Sequence, residues 1–364
     1  MFSVNDRISV RQLQALLLLD VFGTSILILP RTAAGFAGQD GWLVIITATI
    51  IAAFCVFVLA SAGRLFPSEN FVDSAARILS RPIAVIIALG FLFRLIVASA
   101  MELRIFGEII RLTMLRDTPY SAVCGAMLIV GGYAAAKGCE TRARLAQILV
   151  ILAFVPLAAV FLIGATEVDF TNLMPTLVSP PRDILQGGLH TLRAFSGIEF
   201  ILLIYPFISQ TKRVRRGAIQ AVFVIGGLML FITVITIAKF GPFDTMRQMW
   251  PTLQMMDAIS IPGSFIERQD ALIMSFWIIS VFAITNAGLF FSAILLKGMF
   301  KGLESSHCIT ACGAIIFGLS FLPENIPQVY SVMELILTFG IIYMLAVPLL
   351  MLFIARLRGL GEKS

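Results

Sequence analysis

The sequence predicts an all-α polytopic membrane protein: ten transmembrane helices in a 5+5 inverted repeat, with helices 1 and 6 broken. Three observations predict it. The 364 residues are 59% hydrophobic and 13% charged, against about 25% charged in a soluble domain. Apolar stretches near the length of a membrane span recur ten times. The first stretch of each half is interrupted at its centre by small polar residues.

The first stretch covers about 13–36; it is apolar to Phe22, is interrupted by Gly23-Thr24-Ser25, and resumes at Ile26 toward Pro30. The next four lie at about 42–63, 82–112, 119–136 and 143–164. The third is long: its 31 residues make about 46 Å of helix, so it tilts in, or protrudes from, a hydrocarbon core of about 30 Å. The second half opens at about 184–208, where Ser196-Gly197 divides an apolar run that ends at Pro206. Stretches at about 217–239, 271–296, 308–322 and 330–354 complete the set, the ninth being short. The chain reads as a single membrane domain, with repeat one at about 8–165 and repeat two at about 180–356. Five spans per half insert the second half upside down, so an inverted repeat is geometrically available, and the matching breaks favour it.

Basic residues give an orientation. With the N-terminus inside, 17 of the 27 Lys and Arg residues face the cytoplasm, six face outward and four fall within spans. That asymmetry predicts both termini cytoplasmic. No cleavable signal peptide is expected, because the first apolar stretch holds a break and a proline without a small-residue cleavage site. The net charge of +6 is read by position and not as a nucleic-acid signal. Five scattered cysteines read as reduced helix residues; Cys308 and Cys312 lie one turn apart, with nothing nearby to complete a zinc site.

The breaks are the candidate ligand site. In lipid, backbone that leaves a helix exposes N–H and C=O groups that water does not reach, which is tolerated only where the break lines a cavity or site. Where a helix restarts, its first N–H groups and the positive end of its dipole favour an anion. Gly23, Thr24 and Ser25 let a carboxylate approach the N–H groups leading into Ile26, while carbonyls near Val21 and Phe22 accept from an ammonium group. Gly197 marks the equivalent point of the second half. The bland alternative is a glycine kink followed by Pro30. Glu199 binds an amine, couples transport to a proton, or merely sits at a helix start where an acid is favoured.

The third stretch holds Arg94, Glu102, Arg104 and Glu108. Arg104 and Glu108 are one turn apart and can pair. Glu102 points about 200° away from Arg104, so Glu102 and that pair serve different surfaces, one of them the central cavity. Arg94 needs an acid on another helix, and sequence does not say which. Arg31, His190 and Arg193 lie near outer ends, where snorkelling to headgroups accounts for them. Asp20 faces a cavity or a counter-charge, and Asn286, Ser292 and Glu334 interrupt otherwise apolar helices. The one long outer loop, about 241–270, carries Gly241-Pro242-Phe243, Trp250-Pro251-Thr252 and Ile261-Pro262-Gly263. It reads as one or two short amphipathic helices over the outer mouth, serving as a lid or as a structural cap.

Several stretches resemble the spore-germination permease family, the membrane B subunits of nutrient germinant receptors. They are Ile8-Ser9 with Gln12, the run from Gly23 to Pro30, Gln39-Asp40-Gly41-Trp42, and Phe195-Ser196-Gly197-Ile198-Glu199 with Pro206. Most specific are Trp250-Pro251-Thr252, the segment from Ile261 to Ala271, and Trp277. Gly41 departs from the larger small residue, such as alanine, expected there.

The resemblance implies a fold in the amino acid–polyamine–organocation superfamily and an inner spore membrane location. It implies assembly with an A subunit and a lipoprotein C subunit, and a small nutrient ligand, often an amino acid. Carried over, Gly23, Thr24, Ser25, Gly197 and Glu199 line the germinant pocket, to which the residue reading adds Glu102. No lysine lies in the fifth span, where some proton-coupled relatives of the broader fold place one, which weakens a simple proton-coupled transport reading.

Two functions remain open at this point, a receptor subunit that binds with little turnover and a secondary amino-acid transporter, because sensing and alternating access share a two-state scaffold. An enzyme is not expected: no metal cluster, nucleophile elbow or phosphate loop is present, and no cofactor is implied.

Overall fold

The computed structural model describes residues 6–23, 25–257 and 269–360, so Thr24 and the part of the long loop after Asp257 lie outside the described residues. The described chain is helical, with no strand and one isolated parallel bridge between Ile8 and Ile208. The first half contains α1 (Val10–Val21), α2 (Ser25–Ala37), α3 (Gly41–Gly63), α4 (Phe71–Ile78), α5 (Arg81–Thr113), α6 (Tyr120–Ala136) and α7 (Gly138–Gly164). The second contains α8 (Pro181–Thr191), α9 (Ile201–Ile204), α10 (Val214–Arg247), α11 (Pro251–Asp257), α12 (Gln269–Met299), α13 (Ser305–Ser320), α14 (Ile326–Ile341) and α15 (Val347–Leu357).

Six helical runs among the described residues are long and apolar enough to cross a membrane: Ser25–Gly63, Arg81–Thr113, Gly138–Glu167, Thr211–Arg247, Ser275–Met299 and Ile326–Leu357. A bent pair, Pro181–Phe195 with Ile198–Phe207, makes a seventh and turns by 54°. Tyr120–Ala136 and Ser305–Ser320 are apolar but shorter. Large apolar side chains such as Ile86, Ile129, Ile148 and Phe353 stand exposed on the outside, as lipid-facing residues do. The chain is therefore an integral, multi-pass membrane protein.

α12 runs through the middle, packed on α1, α5, α6, α7 and α13, while α10 packs on α1, α2 and α3. Local chemistry fixes the ends of these elements. α1 starts with a capping box: Gln12 N–H donates to Ser9 Oγ (3.3 Å) and Ser9 N–H to Gln12 Oε1 (2.8 Å). Ahead of it, Ile8 N–H donates to the Phe207 carbonyl (2.7 Å) and Ser209 N–H to the Ile8 carbonyl (3.0 Å), strapping the start of the first half to the end of the bent segment.

The turn between α2 and α3 explains the Gln39-Asp40-Gly41 sequence. Gln39 Nε2 donates to the Pro175 carbonyl (3.1 Å). Asp40 is buried and accepts N–H bonds from Leu177 (2.7 Å), Val178 (2.8 Å) and Ser179 (2.9 Å), holding Leu177 in a left-handed conformation (φ 60°). A Cβ at Gly41 would lie 3.0 Å from both the Ala33 carbonyl carbon and Ile237 Cδ1. That close approach favours glycine over alanine here.

Burial pushes the Asp40 carboxyl up, but the bonds from Ser179, Leu177 and Val178 outweigh it and hold the group below the usual carboxylate range. A depressed carboxylate stabilises the fold above its unfolded value, and that contribution is lost as pH falls through the folded value. The loss therefore falls below about pH 4. Asp40→Ala is expected to cost at least one charged hydrogen bond, about 1.5–3 kcal/mol. Thermal unfolding in detergent from pH 7 to pH 3 checks it: the wild type should lose this increment at the acid end, and the variant should lack it throughout.

Candidate functional site

Both interruptions are real breaks. α1 ends at Val21 and α2 begins at Ser25. α8 ends at Thr191, passes through a short 3-10 turn (Leu192–Phe195), and the chain bends at Gly197, whose φ of 118° belongs to glycine. The breaks also touch. A Cβ on Gly197 would lie 2.8 Å from the Asp20 carbonyl oxygen and 3.3 Å from Val21 Cγ2. Glycine is thus required by conformation and by space.

The converging breaks line a cavity of about 510 Å³, within the usual range for small-molecule sites. Gly23, Ser25 and Gly197 are on its wall, as is Glu102 from α5. Glu102 is 6% exposed, and its carboxylate abuts Gly23: a Cβ there would come 2.5 Å from Glu102 Oε1. Arg104 faces elsewhere, paired with Glu108 (2.9 Å) and set over the Tyr120 ring (4.7 Å), so the two surfaces of α5 separate as the helical angle requires.

Glu199 is fully buried and lies behind the wall. Its Oε2 accepts the Gly197 N–H (2.9 Å), and its Oε1 pairs with Arg94 Nη1 (2.6 Å). Arg94, 1% exposed, lines the cavity and also donates to Ser196 Oγ. The acid that Arg94 needs is thus Glu199, 105 residues away. Asp20 faces both cavity and counter-charge: Arg142 Nη2 donates to its Oδ1 (2.5 Å).

Three expectations change. Arg142 was grouped with the cytoplasmic cations; it is 4% exposed and turned into the helix bundle. His190 and Arg193 have a partner the sequence did not show: Arg193 Nη1 pairs with Glu334 Oε1 (2.8 Å), His190 Nε2 lies 3.6 Å from it, and all three line the cavity with Arg31. Two backbone groups expected to be free at the first break are used internally, since Gly23 N–H donates to the Val21 carbonyl (2.9 Å) and Ile26 N–H to the Gly23 carbonyl (3.2 Å).

The loop after α10 covers this end of the cavity. Gly241 (φ 75°, ψ 161°) kinks α10, and the chain returns through Met249, which lines the cavity. Trp250 Nε1 donates to Tyr330 Oη (2.7 Å). Pro30 has no N–H, so the Ile26 carbonyl four residues earlier loses its helical donor, and Thr252 Oγ1 donates to it (2.8 Å). This bond gives the Trp250-Pro251-Thr252 sequence a physical reason that sequence alone did not show. The Ile261-Pro262-Gly263 part of the loop lies outside the described residues.

An integral membrane protein whose two broken segments meet over a charged cavity is permease-like. Solved structures agree on the fold. A nucleobase-cation-symport-1 family transporter, MHP1, in a closed conformation with bromovinylhydantoin bound, superposes with a TM-score of 0.62, at 13% identity over 98% of this chain and 94% of its own. MhsT in complex with L-phenylalanine also gives 0.62, at 14% identity over 94% and 97%.

The chain belongs to the spore germination protein family of permeases, whose profile matches residues 7–329. Among its relatives are spore germination protein YndE of Bacillus subtilis, 23% identical over 100% of both chains, and spore germination protein KB of the same organism, 25% identical over 86% and 84%. GerLB of Bacillus cereus is 22% identical over 93% and 91%. Family and fold are those of permeases and transporters rather than enzymes.

Proposed function

We propose that this chain is the membrane subunit of a spore nutrient-germinant receptor, and that it binds a small nutrient, an amino acid by preference, at the two breaks to trigger germination. The observation that carries the reading is the meeting of the Gly23 and Gly197 breaks on one charged cavity. The ligand's ammonium faces Glu102, and its carboxylate faces the small-residue start of α2 at Ser25. Glu199 acts through Arg94, fixing the wall at Gly197. The ten apolar stretches cross as ten spans in two inverted halves, with both termini in the cytoplasm of the inner spore membrane. An A subunit and a lipoprotein C subunit receive the conformational change.

The second reading is a secondary amino-acid transporter, favoured by a fold shared with MHP1 and MhsT. Proteoliposomes with a panel of radiolabelled amino acids separate the two when bound and internalised label are scored apart. Saturable binding without counterflow is expected. Saturable counterflow would replace the receptor reading with the transporter.

A further inference from the structure

α1 stops in the interior, and its end is negative twice over. The dipole's negative pole lies at Val21, and Asp20, in the last turn, adds a carboxylate that is 6% exposed. In membrane carriers with discontinuous helices, such an end is met by a dissolved cation or proton. Here the positive charge is built into the chain. Arg142, near the start of α7, donates from Nη2 to Asp20 Oδ1 (2.5 Å) and from Nε to Asn286 Oδ1 (2.7 Å) on α12. Asn286 Nδ2 in turn donates to the Gly131 carbonyl of α6 (3.0 Å). The guanidinium carbon lies 5.0 Å from the Phe291 ring centroid and 5.8 Å from that of Phe290. One side chain thereby joins α1, α7 and α12, and through Asn286 also α6.

These residues do not fit a coupling cation. Asp20 Oδ1 and Asn286 Oδ1, side-chain oxygens that would otherwise face such an ion, both accept from the guanidinium. A second cation placed beside it would meet Coulombic repulsion from the guanidinium. We propose that Arg142 is a resident cation: it holds the span-1 break against α12 where an exchangeable ion would otherwise be needed, so the site is set without sodium. The proposal is independent of the nutrient's identity and of whether the chain senses or transports.

The test needs no nutrient. The full chain is purified in detergent, and its thermal unfolding is compared in sodium, potassium and choline chloride at one ionic strength, alongside equilibrium binding of ²²Na⁺. The wild type is expected to unfold at the same temperature in all three salts and to bind no saturable sodium. Arg142→Ala leaves the Asp20 charge alone. It should unfold earlier in choline, recover by about 2–4 °C in sodium, and bind ²²Na⁺ saturably. Adding Asp20→Asn should abolish that recovery.

Arg142→Lys keeps a cation at the site and should remain insensitive to sodium, which gives a reading if the alanine variant does not fold. Saturable sodium binding or sodium-specific stabilisation of the wild type would overturn the proposal. So would a folded Arg142→Ala protein indifferent to the salt, or sodium-specific stabilisation of Arg142→Lys.

Discussion

Arg94→Ala is expected to destabilise the protein by about 3–5 kcal/mol, because it leaves the Glu199 carboxylate buried without its cation. Glu199 would keep only the Gly197 N–H and a long contact (3.5 Å) with Ser196 Oγ. Glu199→Gln reverses the problem and strands the Arg94 guanidinium against the backbone of Gly340. A buried pair adds little net stability over a well-packed apolar pair, so the cost comes from breaking it. The double variant Arg94→Met/Glu199→Met should therefore be less damaging than the sum of the single changes. Unfolding midpoints of the four proteins in one detergent check this. Additive single losses would mean that the two side chains act independently.

The function of the pair follows from its position. Glu199 holds both the bend at Gly197 and Arg94, and Arg94 holds Ser196. α5 is thereby fixed to the second break at Arg94, more than two turns before Glu102 meets Gly23 of the first. A ligand that moves α5 relative to the breaks must work against this pair, so the single variants should also alter ligand response in any protein that survives purification.

The breaks were legible because lipid makes interruption of an apolar run costly, and small polar residues at its centre need a reason. The two faces of α5 were legible because helical angle alone separates Glu102 from Arg104. Pairings across the fold were not. Arg94 and Glu199 lie on different helices, and no local spacing links them. Arg142 escaped notice because it sits one residue before the fifth apolar stretch, where a basic residue reads as an ordinary inner-surface charge. The pairing of Arg193 and His190 with Glu334 was not legible either, because Glu334 lies 141 residues beyond Arg193. Thr252 was seen as part of a pattern, but its role depends on Pro30 being the missing donor more than 200 residues away.

Gly23→Leu should abolish ligand binding while leaving the protein folded. The position carries no left-handed backbone requirement, so the effect is one of space and not of strain. A single added carbon already collides with Ile284 Cδ1 and stands 2.5 Å from Glu102 Oε1. A leucine side chain would project farther, into the cavity between the break and Glu102. Overpacking of this kind costs about 1–3 kcal/mol of stability, which a protein of ordinary stability survives. The loss of affinity should exceed a hundredfold, or about 2.8 kcal/mol. Gly35→Leu is the matched control, because a Cβ there, on the helix α2 that follows the break, meets nothing within 4 Å. Membrane yield, unfolding midpoint and saturable binding are measured for both variants. Normal binding by Gly23→Leu would remove the ligand site from the first break, whereas a loss shared with Gly35→Leu would trace the effect to α2 as a whole.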